Sequence, residues 1–294
     1  MKKKAALDGN DRKRQGMWKD VWRRFRKNKA AMLGLFMFLL ILAAVVFADL
    51  IMPYEKAVTG VGLERLQPPS AGHWFGTDQL GRDELARILH GGRISLLVGI
   101  VPTVISVAVG AALGAAGGYY GGRFDDIVMR LLDVINCIPG MLLMLAIVAA
   151  MGAGMFNLIV ALTISGVPGI ARLVRSTVIG ISDMEYIQAA RAYGTPDRTI
   201  IRKHVLPNAM GPIIITAAGM VASTIITAAS LSFLGFGVQP PAAEWGAMLS
   251  DAKGFMREAP HMMIFPGACI VLSAMAINLM GDGLRDALDP RLKD

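Results

Sequence analysis

Apolar residues run almost without interruption through six stretches of the chain, at about 31–52, 94–118, 136–153, 156–171, 209–236 and 262–280. Polar and charged residues gather in the segments between them. Runs of about 16 to 28 residues suit helices that cross the roughly 30 Å hydrocarbon core of a bilayer, which takes about 20 residues at 1.5 Å rise. The shorter runs, the fourth above all, must borrow flanking residues. A membrane β-barrel would instead alternate apolar and polar residues in segments of about ten, and the sequence shows no such alternation. The pattern therefore predicts an all-α membrane protein with six transmembrane helices. Pro102, Pro139, Pro168, Pro212 and Pro266 fall inside or at the edges of these runs, where proline frees a carbonyl and bends a helix. Gly110, Gly114 and Gly118, four residues apart, give the second helix a flat stripe on which another backbone can pack closely, in this chain or another.

Composition agrees with this reading and charge orients it. Of 294 residues 54% are hydrophobic and 18% charged, and the mean hydropathy is +0.51. Basic residues are retained in cytoplasmic segments. With both termini cytoplasmic, 23 of the 30 Lys and Arg lie inside and 7 outside. The net charge of +8 does not point to nucleic acid, because 12 basic residues sit in the first 30 positions, directly before a membrane run. That run is also longer than the 7 to 15 apolar residues of a cleavable signal, so it is expected to stay as an anchor.

Chemistry is sparse. Cys137 and Cys269 lie in apolar runs and read as small hydrophobes, with neither disulfide nor metal expected. His73, His90, His204 and His261 lack ligand spacing. The apolar runs contain no charge in their interiors, Asp49 and Arg172 coming nearest, which disfavours a proton relay but leaves sodium coupling open. No GxxxxGK[ST], GxSxG or HExxH motif is present. No catalytic residue is expected, and an energy source elsewhere is implied.

One cytoplasmic segment stands out, residues 183–207, containing QAARAYGTPDRTIIRKHVLP. Ala189, Ala190 and Ala192 favour a helix that ends at Gly194 in the left-handed position. Thr195 is placed to cap a second helix, with Pro196 at its first position and Asp197 matching the dipole. Ile201 and Val205 share one face, Arg198, Thr199, Arg202 and Lys203 occupy others, and Leu206-Pro207 is expected to stop the helix. The result is a compact knob between two membrane helices. A solvated connecting loop is the plainer alternative.

The spacing AA-x3-G followed by x-L-P resembles the EAA loop of ABC importer permeases, with Gln188 in place of Glu and His204 in place of Ile. Residues 75–97 (FGTDQLGRDELARILHGGRISLL), 231–250 (LSFLGFGVQPPAAEWGAMLS) and 278–294 (NLMGDGLRDALDPRLKD) are similar to segments of dipeptide and oligopeptide permeases of the DppC/OppC type. The first also reads as an amphipathic surface helix, opened by Asp83 and Glu84 and terminated at Gly91. The resemblance implies a type I ABC importer permease fold in a bacterial cytoplasmic membrane. It divides the chain into a basic tail (1–30), a first membrane helix (31–52), an extracytoplasmic segment (53–92), a core (93–284) and a C-terminal tail (285–294). It implies as partners a second related permease subunit, two ATPase subunits holding ATP and Mg, and an extracytoplasmic peptide-binding protein, in membrane lipid. This chain would need no cofactor of its own. Gln188, Ala189, Ala190, Gly194, Thr195, Pro196, Asp197, Arg198, Arg202, Lys203, Leu206 and Pro207 would form the loop that docks on the ATPase; Glu185, one turn before Gln188, could supply the missing carboxylate. The cargo would be a dipeptide or short oligopeptide, with nickel chelates, glutathione or sugars as alternatives within the class. Outside the class stand a sodium-coupled secondary carrier and a scaffold protein.

Overall fold

The computed structural model describes residues 19–60 and 62–288. The first 18 residues of the basic tail and the last six of the C-terminal signature lie outside the described residues. A short amphipathic helix α1 (19–27) leads into α2 (Lys29–Val46), which Asn28 caps by accepting from the Ala31 N–H at 3.1 Å. Two single-turn helices follow, α3 (Ala48–Ile51) and α4 (Glu55–Val58). The membrane bundle continues with α5 (Glu84–Tyr120), α6 (Gly122–Asn136), α7 (Gly140–Met151) and α8 (Met155–Ser182). Next come α9 (Glu185–Ala192), α10 (Asp197–Ile200) and α11 (Leu206–Phe233), and the chain closes with α12 (Trp245–Ala252) and α13 (His261–Leu288). Among the described residues there is no β-strand beyond one isolated bridge, Thr77 to Asp83.

Among the described residues five helices are long and apolar enough to cross a membrane, and α6 with α7, bent by 84° at Cys137–Pro139, counts as a sixth if the bent pair is taken as one span. Pro139 sits at that break; Pro102, Pro168, Pro212 and Pro266 lie inside helices.

Several boundaries differ from the sequence expectation, each for a physical reason. The amphipathic segment at Asp83 does not end at Gly91. It runs on to Tyr120, and Gly91 and Gly92 instead let neighbours approach: Ala243 lies 3.1 Å from where a Cβ on Gly91 would sit, and Val45 and Trp245 lie 2.5 and 2.8 Å from one on Gly92. The segment between the second and third apolar runs, 119–135, is largely α6, an amphipathic helix packed on α8. The fourth membrane helix continues past Ala171 to Ser182, carrying two arginines inside it. Both are paired. Arg175 grips Asp125 with Nε at 2.6 Å and a second contact through Nη2, and Arg172 reaches Asp133 at 2.6 Å. A charge matched across two helices is tolerated where an isolated one would not be. The first membrane helix stops at Val46 rather than 52, turning at Phe47 into α3.

The glycine stripe of α5 packs against α8 of the same chain. A Cβ on Gly114 would lie 2.3 Å from the Ala171 carbonyl oxygen, and one on Gly110 would lie 2.8 Å from the Ile170 Cβ. At one end of the bundle, buried Ala115, Tyr119, Ile170, Val174, Val178 and Ile181 form a core with the residues after α8. At the other end Trp245 is buried and donates its indole N–H to the Ile88 carbonyl at 3.0 Å. There Asp78, Arg82 and Arg87 form a buried ion cluster with Asp251, the Arg82 Nε to Asp78 contact being 2.6 Å and the Arg87 Nη2 to Asp251 contact 3.0 Å. This cluster ties the segment after α4 to α12.

Gly114→Leu is expected to destabilise the bundle by about 3 kcal/mol, since overpacking against backbone cannot relax. A drop in the midpoint of thermal unfolding in detergent checks it, and an unchanged midpoint would contradict the packing.

Candidate coupling turn between α8 and α11

Helix α9 ends as its sequence dictates. Gly194 has φ +70°, the left-handed value that a side chain disfavours. The Thr195 N–H donates to the Ala190 carbonyl at 3.1 Å and the Gly194 N–H to the Arg191 carbonyl at 2.9 Å, the paired bonds of a Schellman motif. The next helix begins differently from expectation. Pro196, rather than Thr195, holds the capping position, and no side chain caps the turn; the N–H groups of Thr199 and Ile200 bond the Pro196 carbonyl instead. Proline's fixed φ near −65° suits that place without any hydroxyl acceptor.

Leu206-Pro207 does not stop the helix either. Residues Ile201–Val205 widen into a π turn, the Leu206 N–H bonding the Ile201 carbonyl five residues back, and the chain flows directly into α11. Proline removes one N–H and crowds the carbonyl four residues earlier, and a wider turn absorbs both. Asn208 closes the gap by donating to the His204 carbonyl at 2.7 Å and to the Tyr186 hydroxyl at 3.2 Å. His204, at a position where the EAA pattern has an aliphatic residue, lies half-buried beside the Tyr186 ring.

Buried Ile187, Ile200 and Val205, with half-buried Ala190, Ile201 and Leu206, root the turn in the core formed with α5 and α8. The remaining site residues face outward: Gln188, Ala189, Gly194, Pro196, Asp197, Arg198, Arg202 and Lys203 are exposed, and Thr195 and Pro207 half-exposed. Gln188 donates from its side-chain amide to the Asp183 carbonyl at 3.1 Å. A carboxylate there could not make that bond. Glu185 is also exposed, at the start of the same helix. Arg198, Arg202 and Lys203 line an open cleft of about 690 Å³ with Thr199, Ile201 and Leu206, so the basic edge borders a concave apolar strip.

One residue that sequence reading missed holds the turn. Tyr119, in the last turn of α5, donates its hydroxyl to Asp197 Oδ1 at 2.6 Å, and its ring carries the Arg191 guanidinium at 4.7 Å. The clue available in the sequence was only a Tyr-Tyr pair closing an apolar run. Among the described residues no group of His, Cys, Asp or Glu could hold a metal ion.

A two-helix projection stands between two membrane helices of an all-α bundle. The chain belongs to the family of binding-protein-dependent transport system inner membrane components, whose model matches residues 106–294, and residues 16–69 match the N-terminal TM domain of oligopeptide transport permease C. It is thus a multi-pass permease component of a bacterial inner-membrane ABC importer and not itself an enzyme. Similar proteins include the glutathione transport system permease protein GsiD of Pectobacterium atrosepticum, 47% identical over 94% of this chain and 92% of that protein. The GsiD of Shigella flexneri is 46% identical over 94% and 91%. The fold is similar to inward-facing structures of the MetNI methionine ABC transporter, with a TM-score of 0.57 at 21% identity over 69% of this chain and 96% of that one.

Tyr119→Phe is expected to loosen the turn by about 1 kcal/mol, the net worth of one hydrogen bond, and so to reduce amide protection across 197–206 roughly fivefold. Hydrogen exchange that is unchanged there would show that Asp197 needs no support.

Proposed function

We propose that this permease imports short peptides, glutathione among them, and that the turn from Gln188 to Pro207 docks on a separate ATPase subunit. The observation that carries the coupling is the geometry of that turn. It is rooted in the membrane core by Ile187, Ile200 and Val205, projects a basic edge beside an apolar cleft, and is joined to α11 without a flexible break. Force applied to it would reach both α8 and α11. The distribution of Lys and Arg supports a cytoplasmic position for this end, with both termini on the same side. Arg198, Arg202 and Lys203 serve as docking charges, Gly194 sets the angle between the helices, and Gln188 locks the start of α9.

In this reading the partner ATPases bind nucleotide more tightly in one arrangement of the bundle than in the other, and that difference in affinity shifts the population. The cargo crosses between this subunit and a second, related permease after delivery by an extracytoplasmic binding protein. Peptide cargo is supported by the oligopeptide-permease match at residues 16–69 and by relatives named for glutathione, itself a peptide.

Two measurements test this. ATPase activity of the complex reconstituted with both permease subunits, ATPases and binding protein is expected to rise with glutathione or dipeptides and not with nickel chelates; stimulation by nickel alone would overturn the cargo. Gly194→Val places a β-branched residue at positive φ, a strain of about 1 to 3 kcal/mol. It is expected to leave membrane insertion intact while uptake falls and ATP hydrolysis continues. Normal uptake by this variant would remove the turn from the coupling role.

A further inference from the structure

The end of the bundle that carries α1 holds an apolar hollow away from the coupling turn. An open groove of about 480 Å³ runs between α1, α2, α11 and α13, and among the described residues it is lined by apolar side chains and Gly281. Val21, Trp22 and Phe25 of α1 border it, and Phe38 of α2, Ile100 of α5 and Val221 of α11 reach it from the membrane bundle. Phe38 stands nine residues after Lys29, the first residue of α2, so the groove extends roughly 14 Å along that helix. The flank of α2 beside it, Phe36, Leu39 and Leu40, is exposed, as a surface facing lipid is.

The rim of the groove is basic. From Lys19 to Lys29 the chain has six basic residues and one acidic one, and Lys19, Arg23, Arg26, Lys27 and Lys29 are exposed. Helical spacing of three and four puts Lys19 and Arg26 on either side of Trp22 along α1. Trp22 stacks on Phe25 with ring centroids 5.8 Å apart and is still 52% exposed, so a ring that lines the groove also borders a row of cations. The acidic groups at this end are engaged. Asp20 pairs with Arg23 at 3.0 Å, Asp286 accepts from the Asn28 amide at 3.0 Å, and Asp282 has Arg285 three residues on along α13. Buried Val21 and Phe25 pack with Ala31 and Ala287, which seats α1 on α2 and α13.

We propose that this groove binds an anionic glycerophospholipid, one acyl chain lying between α1, α2, α11 and α13 and the phosphate resting against Lys19 and Arg26. The two halves of the site call for the two halves of that molecule. A neutral phospholipid would fill the groove and leave the basic row unmatched; free phosphate would match the row and leave the groove empty. Each buried methylene adds to the hold on the tail, and each Lys or Arg near the membrane surface adds attraction for an anionic head. Trp22, apolar in body and half in the open, sits where an indole is favoured, at the level of the headgroups. The site involves neither the coupling turn nor the cargo, and so stands independently of the import reading.

The test uses the full complex in detergent with phosphatidylglycerol that carries a photoactivatable diazirine in one acyl chain. Light is expected to attach the label to peptides containing Trp22, Phe38 or Val221. Unlabelled phosphatidylglycerol is expected to displace it about tenfold more effectively than phosphatidylcholine, and inorganic phosphate not at all. Lys19→Gln combined with Arg26→Gln, both at exposed positions, is expected to abolish that preference while labelling by the tail persists. Ala218→Phe, which fills the groove, is expected to lose the label whatever the headgroup; should this variant fail to assemble, the double substitution decides alone. Label confined to other faces of the bundle, equal displacement by the two lipids, or a preference that survives the double substitution would each overturn the proposal. So would benzoylphenylalanine in place of Trp22 that links chiefly to another subunit, because a protein helix would then cover the groove.

Discussion

Close contact between α5 and α8 through Gly110, Gly114 and Gly118 is the constraint on which the rest of the bundle depends. Lipid is as apolar as leucine, so helices in a membrane gain little from hiding apolar side chains and must gain from packing. With no side chain on that stripe, the Ala171 carbonyl and the Ile170 side chain approach the α5 backbone directly. This contact fixes which side of α8 is buried. Ile170, Val174 and Val178 turn inward, and the remaining arc of the helix carries Gly169, Arg172 and Ser176 outward.

The same contact sets the depth of the cytoplasm-assigned end. It brings Tyr119, in the last turn of α5, level with the residues that follow α8, so that its hydroxyl meets Asp197 and its ring meets Arg191. The turn between α8 and α11 is therefore anchored from three sides: by its own apolar residues, by the end of α5, and by the unbroken passage into α11 through the π turn. At the far end, buried ion pairs and the Trp245 plug join the long segment after α4 to α12 and α5. Paired charges in a dry setting contribute less to net stability than to a single arrangement, since any mispairing leaves a buried charge alone.

Much was legible in the chain itself. Six apolar runs, the basic bias and the glycine at 194 are local properties. Hydropathy needs only composition over about 20 residues, and a left-handed turn needs only the residue that tolerates it. Boundaries were less legible. Arg172 looked like the end of a membrane helix because sequence alone could not show Asp133 waiting on α6. Gly91 looked like a helix terminator because its role, admitting Ala243 against the helix, depends on a residue 152 positions away. Pro207 looked like a stop because a π turn that absorbs it leaves no composition signal.

The sequence by itself determined the class: a helical membrane protein with a charged, turn-containing segment that resembles the EAA loop of importer permeases. Only the tertiary structure decided which partner the glycine stripe meets and which residues brace the turn. The reason is one of range. Solvent preference and backbone conformation are set by a residue and its near neighbours. The match of a charge, a hydroxyl or a missing side chain to its partner is set by helices that the chain brings together only after it has folded.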